Sequence, residues 1–233
     1  MKITATGFIK SIFRFGLILL FMVPNMVLAA DLAGHVDAIK GTVWAQNPGE
    51  APRKLEKGSP FYVGDRVYTE SRSTVKLLFE DDTKFFIGAE SEMNIDSFVY
   101  RDVEQSNSFS SRVVKGTFRF VTGLIAKEQP ESMEVETAVA TIGVRGTNVV
   151  GEADLTSATI ILMEPEDTSR RSAIVVFNEF GSVDIDEPGY GTEVPDQFSP
   201  PSPPRRMRLQ TINNIMRSMQ SIQRINVPRP RIR

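Results

Sequence analysis

The chain has 233 residues, with 27 Lys and Arg, 29 Asp and Glu, a single histidine (His35) and no cysteine. The lack of cysteine removes disulfides, thiolate nucleophiles, iron–sulfur clusters and sulfur-ligated zinc. One histidine removes multi-histidine metal sites and leaves a Ser-His-Asp triad only His35 to use, so most catalytic templates fall away at once.

Residues 1–30 have the composition of a secretory signal peptide. Lys2, Lys10 and Arg14 precede the apolar run Phe15 to Val23, and Ala29 and Ala30 supply small residues for cleavage. The run is shorter than the roughly 20 residues that span a bilayer, and Pro24 and Asn25 interrupt it. The expected mature protein is therefore periplasmic or exported.

The body from residue 31 to 187 alternates at period two. Val75 to Phe79 and Lys84 to Ile87 flank the acidic turn Glu80-Asp81-Asp82-Thr83, which predicts a hairpin whose turn is solvated. Thr117 to Val121 sets Phe118 and Phe120 on one face, and Met133 to Glu136 sets Glu134 and Glu136 outward. Further strands are expected at 159–162, 173–177 and 182–185. Trp44, on an opening strand, is expected in the core, and His35 as an exposed terminal residue. Short strands punctuated by glycine, with no convincing helix, indicate an all-β body: a sandwich, a roll or an irregular solenoid.

Two segments follow. Residues 188–204 hold six prolines and read as an extended Pro-rich linker. Residues 205–233 hold eight arginines and no acid. From Met207 to Ile225, Leu209, Ile212, Ile215, Met216, Met219 and Ile222 recur at three and four, which predicts a C-terminal amphipathic helix. It is expected to pack on the body or on a second copy, or to make membrane-surface contact with anionic lipid. The rest of the mature chain, 31–204, carries 16 basic against 29 acidic residues, so an acidic body bears a basic tail. The tail lacks aromatics, and export argues against a nucleic-acid partner.

Three ordered blocks carry a family resemblance: Tyr62-Val63-Gly64-Asp65-Arg66-Val67-Tyr68-Thr69, the strand pair around Phe79 to Thr83, and Val135 to Thr147 ending in Val144-Arg145-Gly146-Thr147. With Gly34-His35-Val36, Gly41-Thr42-Val43 and Lys115 to Phe118, they resemble the FecR domain over about residues 34–185. Asp82 stands where the family has a turn glycine, and Ala138 where it often has proline. The resemblance implies an all-β periplasmic module. In founding members it follows a cytoplasmic anti-sigma segment and a membrane span; here a signal peptide is expected in their place, making a standalone exported protein. It implies binding to another envelope protein and no defined enzymatic activity, and it marks Gly64, Asp65, Thr69, Arg145, Gly146 and Thr147 as motif residues.

Those residues have a physical reading of their own. Gly146 permits a positive φ after a strand, and Arg145 offers a planar fork that suits a carboxylate, for which Asp65 is the candidate partner. Arg145 is thus expected to be partly buried and satisfied, with a ligand-binding role as the alternative. The sequence yields no catalytic residue, cofactor or metal site. An envelope interaction or signalling module is the leading expectation. A glycan or small-ligand binder, which needs a concave surface lined by aromatics and polar groups, is the alternative, and an unrecognised hydrolase stands last.

Overall fold

The computed structural model describes residues 31–101, 105–166 and 172–219; the expected signal peptide and residues 220–233 of the tail lie outside the described residues. The first half of the chain folds into eight strands: β1 (Leu32–Lys40), β2 (Val43–Gln46), β3 (Arg53–Lys54), β4 (Pro60–Tyr62), β5 (Arg66–Thr69), β6 (Thr74–Phe79), β7 (Lys84–Ile87) and β8 (Glu92–Val99). The long strand β9 (Ser108–Val121) follows, then a single helical turn α1 (Leu124–Glu128). The second half supplies β10 (Met133–Glu136), β11 (Thr141–Arg145), β12 (Asn148–Ala153), β13 (Ala158–Met163), β14 (Ala173–Asn178), β15 (Gly181–Ile185), β16 (Tyr190–Val194), β17 (Arg205–Arg206) and the helix α2 (Leu209–Met219).

The strands form two layers that share β9. One layer is ordered β4-β1-β6-β7-β9-β12-β13-β16-β17. The other is ordered β3-β2-β5-β8-β9-β10-β11-β14-β15. All neighbours are antiparallel except β9 and β10. The half of β9 from Ser108 to Lys115 pairs in the second layer, and Gly116 to Val121 pairs in the first. Gly116 makes the corner: its φ is +101°, and a Cβ there would lie 1.9 Å from Ser91 Oγ. Only glycine combines that backbone with that approach.

Inward residues of both layers meet in one core. Phe79 of the first layer packs edge-on against Phe109 of the second, with centroids 4.7 Å apart, and touches Phe61 and Phe98 as well. Phe85, Phe118 and Phe120 stack behind them. Aromatic pairs in such offset or edge-on arrangements contribute beyond their buried area. The hairpin over residues 75–87 and the strands at 117–121, 133–136, 159–162, 173–177 and 182–185 stand where the alternation places them.

The outer face of the first layer is apolar and covered. Phe86, Val150, Ile161 and Met163 project from β7, β12 and β13, and Met207, Ile215 and Met219 close over them. Burying Ile215 or Met219 contributes about 1.5–3 kcal/mol each. The stripe read from the sequence is therefore turned onto the body within residues 209–219, with Arg208 and Arg217 left in solvent.

Several expectations are corrected. Residues 188–204 are not a free spacer: β16 pairs with β13, Thr192 Oγ1 donates to the Ser202 carbonyl (2.7 Å), and Asn178 Nδ2 donates to the Ser199 carbonyl (2.8 Å). Pro188 precedes β16 and the other five prolines lie between β16 and β17, so no ladder donor is lost. Trp44 is outside the core; it sits half-buried on the outer side of β2 and donates from Nε1 to Glu70. The outward phase of β2 dictates this, since its neighbours Val43 and Ala45 point inward. His35 is exposed, but within β1, 3.3 Å from Glu80.

Candidate functional site: two motif corners and an aromatic groove

Five of the six motif residues fall at two separate corners where the chain passes between layers, and Thr69 lies at the far end of β5 from the first. At the first, Gly64 (φ +86°) turns the chain so that the Asp65 carboxylate, fully buried, points back under the turn. It accepts from the Tyr62 amide (2.8 Å), Asn47 Nδ2 (3.3 Å) and both terminal nitrogens of Arg53, one of them at 2.9 Å. The hydrogen bond to Asp65 holds the Arg53 guanidinium pKa above its ordinary value against partial burial. Thr69 stands at the other end of β5, where its Oγ1 donates to the Gly88 carbonyl (2.6 Å) and accepts from the Ser91 amide (3.0 Å), tying that end to the crossing between β7 and β8. The Asp65 carboxylate and the Thr69 hydroxyl are thus both used in internal contacts.

The second corner is Arg145-Gly146-Thr147, between β11 and β12. Gly146 has φ +53°, the positive value that a glycine there permits. Thr147 is buried; its amide donates to Thr122 Oγ1 (2.8 Å), and its hydroxyl meets that of Ser172. Arg145 overturns its expectation: it is exposed, and among the described residues it makes no side-chain hydrogen bond or ion pair, while Asp65 belongs to Arg53. Alternation explains this, because Ile142 and Val144 take the inward positions of β11.

The acidic turn is also corrected. Asp82 adopts φ +66° in the place of the family's glycine, but Asp81 is wholly buried. Its carboxylate accepts from the Thr83 amide (3.0 Å), Thr83 Oγ1 (2.8 Å) and the Ile125 amide at the start of α1 (3.2 Å). Burial pushes its pKa up, opposed by those hydrogen bonds. It ties the hairpin to α1. Among the described residues no group of three or more acidic or histidine side chains is arranged to hold a metal.

The feature that looks outward is elsewhere. The turns β10–β11 and β14–β15 and the crossing at Phe198 enclose an open groove of about 680 Å³. Phe177, Phe180 and Phe198 line it, and Phe198 is 71% exposed. Phe180 and Phe198 meet edge-on at 6.4 Å. Asn178 pins the walls together, donating to the carbonyls of Val139 (3.1 Å) and Ser199 (2.8 Å). Thr137 shapes the opposite wall through its Oγ1, which donates to the Ala140 carbonyl and accepts from the Ala140 amide. Asp196 fixes the crossing by accepting from the Phe198 amide (2.8 Å) and the Ser199 hydroxyl (3.0 Å). Three phenylalanines held in solvent by satisfied polar groups form a built apolar surface.

Comparison with known proteins places the corners in a family. Residues 65–164 match the family model described as FecR protein. The chain carries a FecR domain. The matched segment is narrower than the sequence resemblance suggested and runs from Asp65 to Glu164, so it includes the Thr137–Thr141 wall of the groove. Phe177, Phe180 and Phe198 lie C-terminal to the FecR domain. Two crystal structures described as "a putative anti-sigma factor from Parabacteroides distasonis", at 2.50 and 1.65 Å resolution, are similar to the chain at 12% identity and a TM-score of 0.49. The similarity covers 65% of this chain and 63% and 64% of those two chains, so the FecR-domain chain spans just under two thirds of their length. No curated protein matches. Among the described residues, no helix is long and apolar enough to cross a membrane.

Proposed function

We propose that this protein is a non-enzymatic, exported component of the bacterial cell envelope whose FecR domain is part of a protein-interaction or signalling module. The observation that carries the reading is the aromatic groove: Phe177, Phe180 and Phe198 stay exposed although the adjoining loops are rigidly hydrogen-bonded. Exposed aromatics carried on ordered loops are the kind of anchor on which protein interfaces depend. Gly64, Asp65, Thr69, Gly146 and Thr147, by contrast, serve the fold.

The test is photo-crosslinking from position 198 of the full-length protein in living cells. A single discrete protein adduct, reduced when Phe180 is replaced by Ala, supports the reading. Adducts to lipid alone, or none, would sink it. A second reading, a glycan or small ligand, draws on the same groove, where Asn178 and Gln197 accompany the phenylalanines. Saturable glycan binding lost in Phe198→Ala, without a protein adduct, would favour it.

A further inference from the structure

We infer that β15 is a docking edge that accepts an extended, Lys/Arg-rich segment of the partner as an added strand. The inference rests on the interaction reading of this face and specifies how the partner is held.

A sheet edge exposes unpaired backbone donors and acceptors, and proteins protect such edges with short strands, cations or proline. The two layers have four edges. β3 is only Arg53 and Lys54, β17 is only Arg205 and Arg206, and β4 has three residues and begins with Pro60. β15 has five residues, Gly181-Ser182-Val183-Asp184-Ile185, with neither proline nor cation. Among the described residues it pairs with β14 alone. Counted from the two-residue turn, whose flanking pair is Asn178 and Gly181, alternate residues turn their N–H and C=O groups away from β14. Those residues are Ser182 and Asp184, both exposed.

Charge selects the occupant. From residue 172 to 204 the chain has six acids, Glu179, Asp184, Asp186, Glu187, Glu193 and Asp196, and no Lys or Arg. Of these, Glu193 pairs with Arg205. An acidic strand would be repelled from Asp184 and its neighbours, and a basic one would be steered to them. The edge begins beside the Phe180–Phe198 pair, so an apolar side chain of the added strand has an anchor at that end. Backbone pairing then supplies affinity, and the alternate side chains supply selectivity.

The probe is a ten-residue peptide alternating Val and Lys, N-methylated at alternate residues so that only one of its edges can pair. A Glu-for-Lys version is the control. With full-length protein, the Lys peptide should slow amide exchange at Ser182 and Asp184 at least about tenfold at saturation, leaving β6 and β7 unchanged. Ser182→Pro removes one outward donor at a position where an edge strand tolerates proline. It should keep the circular dichroism spectrum and melting temperature and abolish binding. Asp184→Lys should weaken the Lys peptide and admit the Glu peptide. Equal binding of both peptides, protection outside β15, or undiminished binding by a folded Ser182→Pro protein would overturn the inference. A crosslinked adduct at position 198 that persists without protection of β15 would retain the groove reading and discard strand addition. Loss of both would discard both.

Discussion

The two motif corners look equivalent in the sequence and are not equivalent in the structure. At Gly64-Asp65 the side chain is the essential part: a buried carboxylate takes donors from Arg53, Asn47 and the Tyr62 amide. At Arg145-Gly146-Thr147 the backbone and the threonine do the structural task, and the arginine points into solvent. A recurring charged residue is therefore no guide to burial. What distinguishes the corners is whether the strand phase at that residue faces the core.

Four substitutions, followed by chemical denaturation, sharpen this contrast. Asp65→Ala should have the largest effect, about 3–5 kcal/mol, because it strands Arg53 and buried donors without their acceptor. The lower end is expected, since the Arg53 side chain keeps 31% exposure and can partly rehydrate. Next is Thr147→Val, which leaves the buried Ser172 hydroxyl without its neighbour and should cost about 1–3 kcal/mol. Gly146→Ala should cost about 1 kcal/mol: a Cβ there meets nothing within 4 Å, so the price is the left-handed backbone alone. Arg145→Ala should fall within about 0.5 kcal/mol of the parent. A loss at Arg145 rivalling that at Asp65 would erase the distinction between the corners.

The sequence showed the fold class because most strands keep strict alternation. The hairpin of β6 and β7 and the inward phenylalanines of β9 were legible from period two alone. β8 was not, because a register shift between Ile95 and Ser97 breaks its alternation before Phe98. β16 was hidden among prolines that mark its flanks rather than its interior. At the motif corners, the positive φ of Gly146 was legible and the partner of Asp65 was not. Arg53 lies on a two-residue strand with no pattern to betray it. The aromatic groove was invisible in one dimension: its walls come from residues 137–141, 177–180 and 197–198, which only the second layer's pairing and the Asn178 hydrogen bonds assemble.

The sharing of β9 has a consequence for how the molecule can be divided. Four strands of each layer precede it and four follow it, so neither layer belongs to one half of the chain. A fragment ending at residue 101 would carry β7 and β8 without the neighbour both were built for, and a fragment beginning at residue 105 would carry that neighbour with one side vacant in each layer. Such fragments are mutually complementary along two seams at once. Cut between β8 and β9, the protein should behave as a split pair that reassembles on mixing, with the nick at the surface and the seam running through the core.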